Sequence, residues 1–259
     1  KLHNNSSLSQ FGARGTGKTT LLKQRLVGEK VLWVDLLTAR DEDEFGRQPD
    51  HLSYVISKEN PKVVVIDEIQ KFPKLLDIVH LEIEKKQGRQ FVLTGSSARK
   101  LKRSGANLLA GRAFQYFLFP LTHTELGEHF DLASTLNFGT LLVPLAPQTY
   151  GYGKAFEHFI ILEVIRFNEY LRLDYQLSYL KTKDGAEIDL IIKRPGKKTL
   201  IMEIKSGQHI NKEDLRSLKL FSKDWPHAHE ALVVSQDKTE KSIEGITILH
   251  WQSFFAKYF

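Results

Sequence analysis

In the first half of the chain, apolar residues fall in short continuous runs at 31–36, 63–66 and 91–93, each bounded by polar or turn-forming residues. Runs of this kind predict strands buried on both faces, as in a parallel sheet. Between them, helical patterning over 18–26, 51–58 and 74–84 predicts helices, and Pro73 precedes the last in a place that suits a first helical turn. Strand and helix alternating in this order predict an α/β domain with a mostly parallel sheet. The text then changes at 143–153 to Val-Pro-Leu-Ala-Pro-Gln-Thr-Tyr-Gly-Tyr-Gly, a boundary composition. Beyond it, 154–171 predicts a largely buried helix. Strands at 175–180, 187–192 and 200–205, a helix at 212–221, and strands at 230–235 and 247–250 follow. There are no internal repeats, which excludes solenoids and propellers.

At 259 residues the chain fits two modest domains of about 150 residues or fewer each. We expect a first domain at 1–142, a linker or truncated lid at 143–150, and a second domain at 151–259. With 41% hydrophobic and 26% charged residues, collagen-like, coiled-coil and wholly disordered classes are excluded. The best apolar run, 159–165, is interrupted by Glu163 and falls far short of the roughly 18 residues a bilayer crossing needs, so no membrane partner is expected. The absence of cysteine excludes disulfides, thiolate zinc sites and cysteine nucleophiles, and fits a cytoplasmic location. Lys1 is not a methionine, so an N-terminal piece is expected to be removed or to lie outside this sequence; nothing reads as a signal peptide.

A net charge of +6 is spread along the chain, except that 85–124 contains no acid. Lys85, Lys86, Arg89, Arg99, Lys100, Lys102, Arg103 and Arg112 lie in that span, which suits either a nucleic acid or polyphosphate partner or a solvated loop. The ten histidines form no metal-ligand spacing.

Gly12-Ala13-Arg14-Gly15-Thr16-Gly17-Lys18-Thr19 satisfies the phosphate-loop pattern at each defined position. Glycines let successive N–H groups converge on phosphates, and the N-terminus of the helix that follows adds positive potential, with Thr20 in its first turn among the expected nucleotide-binding residues. Lys18 is expected to reach the outer phosphates of ATP and the Thr19 hydroxyl to ligate Mg²⁺. The buried run Val63-Val64-Val65-Ile66 ends in Asp67-Glu68; Asp67 would hold the metal and Glu68 would polarise the attacking water as general base. A further strand ends in Thr94-Gly95-Ser96-Ser97, where Thr94 or Ser96 could orient that water. The segment before the loop, residues 4–11, is too polar for the buried strand expected there.

Six blocks in order, GARGTGKTTLL, VVVIDEIQKFPKLLDIVH, FVLTGSSARKL, LLAGRAFQYFLFPLTHTEL, FEHFIILEVIR, and AEIDLIIK with IMEIKSG, resemble the AAA-type ATPases of archaea and bacteria that carry a C-terminal domain of unknown function. The resemblance implies a P-loop NTPase three-layer sandwich, with Arg112 as a residue that either senses the γ-phosphate or forms a structural salt bridge. Family members carry a helical segment between the Pro-Leu-Thr and Phe-Glu blocks. Here only 142–152 joins them, so the segment is either deleted or outside this sequence.

In 200–205, Ile201, Glu203 and Lys205 share one face of the strand. A hairpin centred on Gly196 places Asp189 directly opposite Glu203, about 5 Å away. Like charges so placed need something positive between them, and either Lys205 or a divalent metal would serve. An Asp followed by Glu-x-Lys on adjacent strands, with an acid on the preceding helix, resembles the PD-(D/E)xK nuclease superfamily and implies a smaller restriction-endonuclease-like α/β domain. The resemblance makes Glu157, with Glu163 as the alternate, the helix acid. It makes Glu157, Asp189 and Glu203 metal ligands and Lys205 the residue that activates water. Lys181 and Lys183 lie nearby. Nucleotide, DNA and further copies of the same chain are the partners expected. Three readings stand: an ATPase that drives a change in the second domain, an ATP-regulated metal-dependent DNA nuclease, and a nucleotide-gated binding module without chemistry.

Overall fold

The computed structural model describes residues 7–96, 113–141, 151–182, 187–225, 227 and 229–259. The chain divides into two compact units that part between Leu121 and Thr122, with 122–140 belonging to the second. Unit 1 contains β1 (Ser7–Phe11), α1 (Lys18–Arg25), β2 (Val31–Asp35), α2 (Ala39–Arg47), α3 (His51–Glu59), β3 (Val63–Asp67), α4 (Leu75–Glu84), β4 (Gln90–Gly95) and β5 (Ala113–Phe117). Its strands are parallel throughout, in the order β2-β3-β4-β1-β5. Alternation along β3 sends Val64 and Ile66 into a cluster with Phe45, Leu52, Ile56, Leu75 and Val79 of α2 to α4, and sends Val63 and Val65 the other way, onto Leu22 of α1. With both faces covered, the unit has the three-layered parallel α/β arrangement of a P-loop NTPase core.

The expectation that residues 4–11 are too polar for a buried strand fails for β1, every residue of which is buried. Leu8 and Phe11 face opposite cores. Ser7 is small enough to fit between strands, and its hydroxyl accepts the Phe91 N–H at 3.2 Å. Ser9 and Gln10 are buried as well, and the Ser9 hydroxyl has no hydrogen-bond partner among the described residues, so part of the polarity of β1 is buried unsatisfied.

Unit 2 contains α5 (His123–Leu126), α6 (Leu132–Phe138), α7 (Tyr152–Tyr170), β6 (Gln176–Lys181), β7 (Glu187–Lys193), β8 (Thr199–Lys205), α8 (Arg216–Asp224), β9 (His229–Ser235), β10 (Lys241–Ile243), β11 (Ile246–His250) and α9 (Trp251–Tyr258). The sheet runs β10-β11-β9-β8-β7-β6 and is mixed: β8, β9 and β11 are parallel, and β6, β7 and β10 pair antiparallel. Leu200, Met202 and Ile204 face α7 and α9, while Ile201 packs with Leu215 and Leu218 on the other side.

The expected first domain, 1–142, gives up residues 122–140 to unit 2. The reason is a buried carboxylate. Glu163 on α7 is fully buried and accepts the His123 main-chain N–H at 3.0 Å and the Arg166 guanidinium at 2.7 Å. It also bonds to His123 Nδ1, whose ring sits among Phe130, Phe167, Trp251 and Phe255. A capping box on Thr122 and Glu125 fixes the start of α5, which holds His123 in place. Residues 142–150 lie outside the described residues.

Breaking a buried ion pair from one side leaves an uncompensated charge. Arg166→Met is therefore expected to cost about 3–5 kcal/mol in urea unfolding followed through tryptophan fluorescence. An unchanged midpoint would mean that Glu163 is satisfied without it.

Candidate functional site

Because all strands of the first sheet are parallel, their carboxyl ends lie on one side, and β4 separates β1 from β3. The phosphate loop follows β1, and its form depends on glycine at three points. Gly15 and Gly17 have φ of 80° and 83°. A Cβ on Gly12 would lie 2.0 Å from the Leu118 carbonyl oxygen. The Thr16 hydroxyl donates to the Ala13 carbonyl at 2.9 Å, closing the loop. Lys18 is buried, and its Nζ donates to the Gly12 and Ala13 carbonyls at 2.7 and 2.9 Å. Burial lowers the Lys18 ammonium from its ordinary value; Glu68 and Asp67 oppose this and Arg14 reinforces it. Ala13, Arg14, Gly15 and Thr20 are exposed around the mouth of the loop.

Asp67 ends β3, and both of its oxygens are engaged. Thr19 Oγ1 donates to Oδ2 at 2.7 Å, and Thr94 Oγ1 donates to Oδ1. Thr94 thus holds the acid, and Ser96 is the hydroxyl near Glu68. Glu68 is buried in the left-handed region at φ 58°, opening a short 3₁₀ turn at 69–71. Its Oε2 receives the Gln70 side-chain amide and, at 3.3 Å, the Ser96 N–H. Gln70 also donates to Ser96 Oγ at 3.0 Å. Gln70 was not among the sequence-level site residues; its signal was its place two residues beyond Glu68. Arg112 lies outside the described residues. In the acid-free stretch, Lys85 and Arg89 are drawn to Glu82 at 2.5 and 3.7 Å, and 97–112 lies outside the described residues.

In unit 2 the hairpin has the expected register, pairing Leu190 with Met202 and Ile192 with Leu200; the paired ladder ends there, and the same register continued one step would set Asp189 across from Glu203. Asp189 accepts the Ile204 N–H at 2.7 Å, and Lys205 pairs with Glu203 at 3.0 Å. Burial raises the carboxyls of Glu157, Asp189 and Glu203. For Glu157, the charges of Asp189 and Glu187 add to the rise; for Glu203, that of Asp189 does. Lys205 is raised because Glu203, Asp189 and Asp214 together outweigh its desolvation. The acids therefore feel one another, yet no three His, Asp or Glu side chains among the described residues converge closely enough to hold a metal ion. Glu157, Asp189 and Glu203 are thus not gathered as a ligand set; Asp189 is held by the Ile204 N–H and Glu203 by Lys205. Lys181 is paired with Glu187 at 2.8 Å, Glu163 is spent on His123 and Arg166, and Lys183 lies outside the described residues.

Residues 4–127 match a family described as an AAA domain, and 152–254 match a domain of unknown function, DUF4143. No curated protein matches the chain. Among solved structures, the replication initiator DnaA bound to AMPPCP and single-stranded DNA is similar at 17% identity and TM-score 0.32, over 50% of this chain and 48% of that one. AMPPCP-bound DnaA from Aquifex aeolicus is similar at 14% identity and TM-score 0.30, over 66% and 60%. McrB AAA+ hexamers with bound McrC from Thermococcus gammatolerans are similar at 16% and 0.26, over 67% and 45%. The chain spans about half the length of the first of these, and likeness at this level bears on neither substrate nor partner. No helix among the described residues is long and apolar enough to cross a membrane.

A carboxyl raised by burial contributes stability that is full below its unfolded value, near 4.3 for Glu, and is lost as pH rises through the folded value. Glu157 therefore costs stability at neutral pH. Glu157→Gln is expected to melt higher than the parent at pH 7, with the advantage shrinking toward zero at pH 4. An equal advantage at both pH values would remove the electrostatic cause.

Proposed function

We propose that unit 1 binds ATP with Mg²⁺ and hydrolyses it. The observation that carries this reading is the Thr19–Asp67 hydrogen bond of 2.7 Å, which joins the hydroxyl of the phosphate loop to the acid that ends β3. These are hard oxygen donors, suited to a Mg²⁺ ion that keeps waters and phosphate oxygens as its other ligands. Thr19 and Asp67 would hold the ion, which when bound would offset the charge of the phosphates. Lys18, whose ammonium donates to two loop carbonyls, has the reach and charge to turn to those phosphates. Glu68 would take the proton of the attacking water. Lys18→Ala is expected to abolish nucleotide binding, and Glu68→Gln to bind ATP while phosphate release falls at least 100-fold. Unaltered hydrolysis in Glu68→Gln would sink the assignment.

We further infer that the Asp189, Glu203 and Lys205 cluster is the chemical centre of unit 2, a PD-(D/E)xK-like site on which DNA is engaged. Support comes from carboxylates held together at a cost to stability, the arrangement by which functional sites are recognised. In a Lys18→Ala, Asp67→Asn protein, calorimetric Mn²⁺ binding is expected and should vanish when Asp189→Asn and Glu203→Gln are added. No binding in either protein would reduce unit 2 to a scaffold or binding surface.

A further inference from the structure

We infer that Gln70 is the positioning residue of the hydrolytic step, fixing the carboxylate of Glu68 and tying it to the end of β4; this rests on the ATPase reading above. The 3₁₀ turn after β3 carries the Gln70 amide back over Glu68. Its Nε2 bonds both Glu68 Oε2 and Ser96 Oγ, and the Ser96 N–H reaches the same carboxylate oxygen. Two donors on Oε2 leave Oε1 as the oxygen that can accept a proton from water. The backbone of Glu68 is left-handed, an uncommon conformation for a non-glycine residue of the kind that concentrates at functional sites.

The fit of the amide is also specific. An ideal Cβ on Gly95 would lie 2.3 Å from Gln70 Oε1 and 3.3 Å from its Cδ, so the absence of a side chain at 95 is what lets the amide sit there. Gln70 Oε1 is itself buried and has no hydrogen-bond partner among the described residues. A buried unpaired acceptor costs stability, and this one accompanies the placement of Nε2 between Glu68 and Ser96. Ser96 thereby acts on Glu68 through Gln70 as well as through its own N–H.

The test is steady-state ATP hydrolysis with Mg²⁺ in the full chain, comparing the parent with Gln70→Met, Gly95→Ala, Glu68→Gln and the Gln70→Met, Glu68→Gln double variant. Methionine keeps the length of glutamine and lacks its donor. Gln70→Met is expected to lower kcat about tenfold or more with KM for ATP within twofold, a loss confined to the transition state. Gly95→Ala, which pushes the amide aside, should fall in the same direction. The double variant should be no slower than Glu68→Gln alone, because Gln70 acts only through Glu68. Unchanged kcat in Gln70→Met, or kcat and KM affinity lost together, overturns the inference while leaving the ATPase reading intact. A parent as inactive as Glu68→Gln overturns both.

Discussion

The candidate nucleotide site depends on one arrangement, the insertion of β4 between β1 and β3 in a wholly parallel sheet. It places the phosphate loop and Asp67 two strand spacings apart, roughly 9.5 Å. Side chains must cross that gap. Thr19 does so from the start of α1, and Thr94, at the end of the intervening strand, engages the other oxygen of Asp67. Without β4 there would be no Thr94 to hold the acid and no Ser96 N–H to reach Glu68. The parallel direction matters equally, since reversing any one of these strands would carry its functional residue to the opposite edge of the sheet.

Burial then makes each polar contact consequential. Lys18, Asp67, Glu68 and Thr94 are all buried at the strand ends, where an unpartnered charge is costly. Lys18 meets that cost by donating to the Gly12 and Ala13 carbonyls. Gly12 has the complementary role of letting the loop backbone run against Leu118. The loop is thus shaped by what cannot fit at residue 12 as much as by what its amides could bind.

The phosphate loop and the Asp67-Glu68 pair were legible in the sequence because their chemistry demands fixed residue types at fixed spacing. The β7–β8 hairpin was legible because its turn centre sets the register. β1 was not, since three of its five residues are polar and their burial depends on neighbours remote in sequence. α2 escaped because it buries only Phe45 and so shows no apolar face; the Thr38 cap, with Asp41 and Glu42 in its first turn, was its one local signal. α9 had a readable face in Trp251, Phe254 and Phe255, but residues 251–258 were assigned no element. The boundary at 121 was hidden because nothing local says that His123 belongs beside Glu163, 40 residues on.

Within unit 2, two sets of acids on one sheet show opposite logic. Asp237, just past β9, is pushed down to about 2 by the Lys241 ammonium and the Thr239 N–H, with the Ile210 N–H adding to the effect. With three donors on its two oxygens, it is tied to fixed neighbours, as suits a structural carboxylate. Asp189 on β7 and Glu203 on β8 are pushed up instead, because the single N–H of Ile204 and the single ammonium of Lys205 do not offset their desolvation. The fold could have satisfied them as it satisfies Asp237. Donors to these two acids, beside a lysine held charged by them, thus fall short of what their burial would need, whereas Asp237 has them in number.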